Sequence, residues 1–486
     1  MQAQRRTFLA SAATVAAAAV SASPSAFGRA DAAAGRKIMP DAQSPLLIKG
    51  ATILSMDPRV GDLAKGDILV IGSKIARIAK QVDAPGAKVI DGAGRIAIPG
   101  FVDTHRHAWE GQLRRVNPNS SDLGNYIAGT HASFATKYRP QDMYIGNLLT
   151  SLGALDAGIT TLIDNSHNSR SLAHAIAAVD ALRDAGLRAL HAPGAPLAGS
   201  WDKDSWYRDL ATLKQERFSD PEALVTLAMM VSVDREQWAV GRQLGVPLVT
   251  EFFGQEMSAL LPALRDEGLL GPDNIFNHCT DLTDEAWRIL KATGVRVNVC
   301  PRSDSHWGLA TGMFGYQAAV DHGIKPGFSV DNESAYSGDM FAEMRTALYL
   351  QRSAAQGRRS QGLTAASPIS MRQLLSAATI DGAAVATMAV KTGSLTEGKE
   401  ADIVLINTND VNLYPSNNAM GTVVGAAERS NVETVIVGGR IRKQGGKLVD
   451  VDFDRVRALT EASRHYLFEA VGFDADSLAE SFRLRS

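Results

Sequence analysis

Between Pro99 and about Gly398 the chain alternates short apolar, β-branched runs with longer stretches of helical spacing, the pattern of repeated βα units around a parallel sheet. The runs Thr160–Asp164, Arg188–His191, Val225–Met230, Pro247–Glu251, Asn274–His278, Arg296–Cys300 and Gly327–Asp331 read as strands. With the strand that leads from Ile98 into His105 they make eight, the count of a distorted (β/α)8 barrel of TIM type. A doubly wound open sheet would alternate in the same way, but no Gly-rich phosphate loop follows the first strand. On either side the rhythm changes. Leu46–Leu54, Gly66–Ile71 and Lys74–Ile78 precede the barrel as short strands between Gly and Asp turns. Ala401–Ile406, Val432–Val437 and the run after the Gly438-Gly439 turn follow it in the same style. The simplest assembly pairs both ends of the chain, residues 45–98 and 399–452, into one small β-sandwich with the barrel, residues 99–398, inserted. Arg455–Phe473 has helical spacing, so residues 453–486 form a C-terminal helical segment.

The first residues set the compartment. Gln4-Arg5-Arg6-Thr7-Phe8-Leu9 precedes an Ala/Val/Ser-rich stretch and the small-residue cleavage options Pro24-Ser25-Ala26 and Gly28-Arg29-Ala30, so residues 1–34 read as a twin-arginine signal peptide. The stretch is poor in Leu, Ile and Phe, too weakly apolar for a stable membrane span. The mature protein is expected in the periplasm or outside the cell, with the twin-arginine export machinery as a partner.

Composition narrows the class. With 45% hydrophobic and 21% charged residues among 486, and 43 glycines, the chain suits a loop-rich globular enzyme. A net charge of −2 offers nothing to nucleic acid or an acidic membrane, which leaves a small molecule as the substrate. A homo-oligomer stays open. The only cysteines, Cys279 and Cys300, each follow an apolar run and read as buried strand residues, not a disulfide.

Chemistry gathers at the strand ends. His105 and His107 stand at i and i+2, a spacing that turns both imidazoles to one side of a strand and allows them to grip one divalent cation. Glu251, His278 and Asp331 end other strands, and in a barrel all such ends face one mouth. Pro99-Gly-Phe-Val-Asp-Thr-His-Arg-His107, Asp331-Asn-Glu-Ser with Gly338-Asp-Met-Phe-Ala-Glu-Met-Arg345, and Gly393-Ser-Leu-Thr-Glu-Gly-Lys-Glu-Ala-Asp402 together resemble the amidohydrolase superfamily. The likeness is greatest to its mononuclear branch of cytosine-deaminase-like and triazine-chlorohydrolase-type enzymes. It covers nearly the whole mature chain in motif order, and implies a barrel with a sandwich from both chain ends.

By that resemblance His105 and His107 are the metal-binding pair, Asp331 both touches the metal and handles the proton of the attacking water, and His278 orients or polarises the substrate. The departure is on the fifth strand. Counted from Pro247, Glu251 falls where the family has a metal-binding histidine, and Gly254 falls where its catalytic glutamate follows. A carboxylate can replace an imidazole on the ion at the cost of an extra negative charge, which weakens the ion as a Lewis acid. Loss of the glutamate disfavours ring deamination, which uses it to protonate a ring nitrogen; Glu256 is a nearby replacement whose direction is open. No lysine lies in the third- or fourth-strand runs, so a single ion is expected, zinc by default, with iron, manganese or cobalt also compatible.

Four further residues are substrate candidates. Trp109 lies just past the histidine pair, His167 in the Asp164-Asn-Ser-His-Asn168 run, and Arg302 and His306 in Pro301-Arg-Ser-Asp-Ser-His-Trp307. Arg302 would brace Asp331 or bind a substrate carboxylate. His131, His174, His191 and His465 have no supporting constellation, and His322 reads as a helix C-terminal partner. The expected activity is metal-assisted hydrolysis of a non-peptide carbon–nitrogen bond in an amide, lactam, urea or carbamate. The alternatives are a deaminase or dechlorinase of a nitrogen heterocycle, and a catalytically degenerate barrel that binds without hydrolysing.

Overall fold

The computed structural model describes residues 44–120 and 122–474. The expected signal peptide, residues 1–34, and the last part of the C-terminal segment lie outside the described residues.

Strands from both ends of the chain share one sheet. Its order is Lys447–Leu448, Arg440–Gln444, Val432–Val437, Ile403–Asn407, Arg95–Pro99, Leu46–Ile53, Leu63–Ile71, Lys74–Ala79, with Lys88–Asp91 also pairing with Leu46–Ile53. The join is antiparallel, Ile403 opposite Pro99 and Ile406 opposite Ile96. Ile48, Ile68, Leu405 and Ile436 pack together on it. The sequence pattern misses Lys88–Asp91, Arg95–Pro99 and Lys447–Leu448, which are short and begin on a charged residue, so they show little alternation of their own.

Gly100 carries the chain from this sheet into the barrel. A Cβ there would lie 2.0 Å from the Thr160 hydroxyl, so only glycine permits the approach. The barrel strands Phe101–Arg106, Ile159–Ser166, Arg188–Pro193 and Val225–Leu227 form one parallel sheet. Met229–Met230, Leu248–Phe252, Asn274–His278, Arg296–Val299 and Gly327–Phe328 form a second. The expected strand Val225–Met230 is thus broken at Ala228, whose N–H still reaches the His191 carbonyl at 2.8 Å and links the two sheets. At the other seam the Asp331 N–H donates to the His105 carbonyl at 2.8 Å, and the His107 N–H donates to the Asp331 carbonyl at 2.7 Å. The result is an α/β fold of TIM-barrel type with an extra β-sheet.

Helices alternate with these strands and start on side-chain caps. Asp234, Thr283 and Asp339 accept backbone N–H groups at the first turns of Arg235–Gln243, Asp284–Thr293 and Met340–Ser360. Inside the barrel Val102, Ile163, Leu190, Val249 and Ile275 form an apolar floor. Each such buried side chain contributes about 1.5–3 kcal/mol. The polar strand ends therefore rise from a rigid base. The terminal helix Phe453–Val471 sets Leu467 and Phe468 in one cluster with Trp109 and Leu113, bracing the segment that follows the histidine pair. No helix among the described residues is long and apolar enough to cross a membrane.

Candidate active site

The first and eighth strands make one side of the site. The Nε2 atoms of His105 and His107 lie 3.1 and 3.0 Å from Asp331 Oδ1. The expected strand Gly327–Asp331 stops at Phe328, and Asp331 turns into the left-handed region at φ 73°, as does His278 at φ 66°. Such backbone costs of order 1–3 kcal/mol per residue and persists where surrounding bonds hold it. Here they do. The Ser303 hydroxyl and the Asn332 amide, the latter at 3.1 Å, both donate to Asp331 Oδ2. His107 donates from Nδ1 to the Asn165 carbonyl at 2.9 Å, which turns its Nε2 lone pair toward the site.

The fifth and sixth strands make the other side. Val249 points into the barrel floor, so Glu251, two residues on, projects from the same face at the mouth. Its Oε1 is 3.5 Å from His105 Nε2 and its Oε2 is 3.1 Å from His278 Nε2. One amide supports it, Asn277 Nδ2 at 3.3 Å from Oε1. His278 donates from Nδ1 to Asp304 at 2.7 Å and keeps Nε2 toward Glu251.

These atoms suit a shared cation. Donors around a tetrahedral ion with bonds of about 2.1 Å stand roughly 3.4 Å apart; His105 lies 3.1 Å from Asp331 and 3.5 Å from Glu251, His107 lies 3.0 Å from Asp331, and His105, His107 and Glu251 offer ligand atoms within 4.8 Å of one another. His107 Nε2 and Asp331 Oδ1 are both acceptors once Nδ1 has donated to Asn165, so something positive must stand between them. Without an ion a proton serves. Burial alone would lower the His107 pKa, but Asp331, Glu110 and Glu251 raise it to about 9. Burial would raise that of Glu251, yet His105, His278 and His107 bring it down to about 2. A divalent ion would displace the proton and take up the same charge. Cys300 lies near His105 and His278, but burial pushes its thiol pKa up and its sulfur lies 2.8 Å from the Ser329 hydroxyl, so the carboxylates are the better anionic donors. Both cysteines are free and buried, as expected.

A cavity of about 270 Å³ opens over this corner, with His107, Glu251, His278 and Asp331 at its base. His167 and His131 line its wall, the His167 ring 4.3 Å from that of His107 and 4.4 Å from that of His131. Sequence spacing offers His131 no constellation. It belongs to one: His131 Nε2 is 3.3 Å from the Tyr126 hydroxyl, which donates to Glu110 at 2.6 Å, and burial raises the Glu110 pKa to about 7. No local pattern marks this loop, because contact with the barrel mouth brings it into play. Ser303, Asp304 and Asn332 were within reach of the sequence, since each adjoins a residue or run already singled out.

Three substrate candidates fall elsewhere. Trp109 is fully buried behind the wall, 5.0 Å from the Tyr138 ring and 5.5 Å from that of His131, because its indole completes the cluster under the terminal helix. Arg302 neither braces Asp331 nor faces the cavity. It pairs with Glu343 at 2.6 Å and donates to Ser337, a buried carboxylate being the stronger attraction. His306 sits between the rings of Trp307 and Tyr336, outside the cavity lining. Gly254 adopts φ 79°, a conformation that disfavours any side chain there, and Glu256 is exposed outside the cavity, where Phe253 and Met257 form the wall. The Asp164–Asn168 run lies mostly within the buried strand Ile159–Ser166, where Asp164 holds His191 at 2.7 Å and the Asn165 carbonyl orients His107.

Residues 246–442 match the Amidohydrolase family. The chain is 27% identical to 5'-deoxyadenosine deaminase of Methanosarcina mazei over 437 residues, 85% of this chain and 95% of the relative. It is 26% identical to 5-methylthioadenosine/S-adenosylhomocysteine deaminase of Carboxydothermus hydrogenoformans over 434 residues, 85% and 96% of the two. Such deaminases break a carbon–nitrogen bond. Among solved structures, an adenosine deaminase from Xanthomonas campestris with bound zinc superposes with a TM-score of 0.77 at 22% identity, covering 88% of this chain and 99% of that one. Atrazine chlorohydrolase from Arthrobacter aurescens complexed with zinc gives 0.73 at 23% identity, covering 86% and 100%. The chain is thus similar to the Amidohydrolase family over residues 246–442 and in sequence to deaminases, and it shares its fold with zinc-containing structures of an adenosine deaminase and an atrazine chlorohydrolase.

Proposed function

We propose that this protein is a metal-dependent hydrolase of a non-peptide carbon–nitrogen bond in an amide, lactam, urea or carbamate. The observation that carries the reading is the convergence of His105, His107, Glu251 and Asp331 beside one cavity, which the last three line, with His107 Nδ1 and Asp331 Oδ2 already held by hydrogen bonds. His105, His107, Asp331 and Glu251 would hold one divalent ion, zinc by default. When bound, that ion acidifies a water and polarises the substrate carbonyl. Asp331 takes a proton from the attacking water as its oxygen bonds to the carbonyl carbon. His278, its ring set by Asp304, donates to or orients the substrate oxygen. Asp331 then returns the proton to the nitrogen as the carbon–nitrogen bond breaks, leaving a carboxylic acid and an amine.

Deamination of a nitrogen heterocycle is the second reading, favoured by the named relatives. Against it stands Gly254, where no carboxylate is available to protonate a ring nitrogen. The twin-arginine leader, export to the periplasm, the sandwich form of the terminal sheet and any self-association belong to the same proposal. The test is to measure metal content by elemental analysis and to assay amides, ureas and aminated heterocycles for amine, ammonia or halide release. Carboxylate and amine products support the first reading and ammonia from a ring supports the second. Metal below about 0.2 ion per chain after loading with zinc, iron or manganese would overturn both, because hydrolysis of this kind needs the ion.

A further inference from the structure

The cavity above the metal corner is chemically lopsided. Leu123, Ile127, Leu197, Phe253, Met257 and Leu309 contribute to its wall, and no lysine or arginine lines it among the described residues. The apolar character continues to the surface, where Leu197 is 56% exposed and Ile127 37%. Four arginines close to the site in sequence are committed elsewhere: Arg106 to Asp103 at 2.7 Å, Arg114 to Glu333 at 2.6 Å, Arg302 to Glu343, and Arg170 to the carbonyls of Ala135 and Ala198. The anionic side chains that line the cavity are Glu251 and Asp331, and its histidines His107 and His278 are already turned onto these carboxylates. A substrate carboxylate or phosphate would lose its water here, meet no cation beyond the ion itself, and lie beside two carboxylates.

Building on the hydrolase reading, we propose that the substrate is an uncharged, largely apolar molecule, of the aryl or alkyl amide class, that binds with its body against this wall. Apolar area then supplies the binding, at about 25 cal/mol per Å² buried. Acids, phosphates and other anions are excluded by desolvation and by the carboxylates.

The probes are benzohydroxamic acid and its 4-carboxy analogue, which differ only in a carboxylate remote from the chelating group, titrated calorimetrically into the zinc-loaded full-length protein with hydroxylamine release monitored so that only intact probe is scored. The uncharged probe should bind about tenfold tighter or more. Leu197→Arg, which places a cation at the mouth, should bring the ratio close to one or reverse it. Equal or tighter binding of the carboxylate by the wild type overturns the proposal, and so does failure of both probes to bind. The hydrolase reading is scored separately, by amine release from acetanilide and from 4-acetamidobenzoate. Preference for the neutral hydroxamate without turnover of either amide leaves the substrate class standing and removes the hydrolase, whereas faster turnover of the acid does the opposite.

Discussion

The two sides of the metal corner are built differently. On the first and eighth strands, Asp331 is clamped by backbone bonds to His105 and His107 and by the Ser303 and Asn332 side chains, and His107 is set by Asn165. On the fifth strand, Glu251 is 29% exposed and is met by His278 Nε2 at 3.1 Å and one longer amide contact from Asn277. The first side pays for strained backbone with many bonds and so presents donors in one geometry. The second presents a partly exposed carboxylate to the cavity. Firmly braced donors set where an ion sits, while the charge of each donor sets how strongly it is held.

The contrast can be broken in graded steps. Asp331→Asn should lower turnover by about 10²–10⁴, since the proton carrier is lost, and steady-state rates with metal content measured alongside check it; activity within tenfold of wild type would move the proton to another group. Removing a brace should cost less. Ser303→Ala is expected to weaken metal binding by about 10–100-fold, read by competition with a chelator, and an unchanged affinity would show that the clamp on Asp331 is redundant. On the looser side, Glu251→His should strengthen zinc retention by roughly tenfold, an added imidazole being the commoner zinc donor. A fall in both retention and activity would place Glu251 outside the ligand set. The smallest effect on the site is expected from Arg302→Gln: metal content and KM should stay within about twofold while denaturant melts report a loss of about 3 kcal/mol from the broken buried pair with Glu343. A large rise in KM would return Arg302 to the substrate.

The course of the barrel was readable because its strands are short apolar runs separated by helical spacing, a local pattern. Its ends were less so. Gly327–Asp331 reads as one strand, but Asp331 turns away at positive φ under bonds from His105 and His107, which are more than 220 positions distant in the chain. Trp109, Arg302 and His306 looked like cavity residues from their neighbours in sequence. Each was claimed by a partner from elsewhere: the terminal helix cluster, Glu343, and the Trp307 and Tyr336 rings.

The sequence by itself determined the barrel repeat, the joining of the two chain ends, and which five titratable side chains follow or end the barrel strands. These follow from periodicity and residue type, which act over a few positions. Only the tertiary structure decided that His131 reaches the cavity, that Ser303, Asp304, Asn165 and Asn332 aim the donors, and that Arg106, Arg114 and Arg302 are already paired. Such facts depend on which long-range contact wins when several side chains compete for one buried charge, and that competition is settled only in the folded chain.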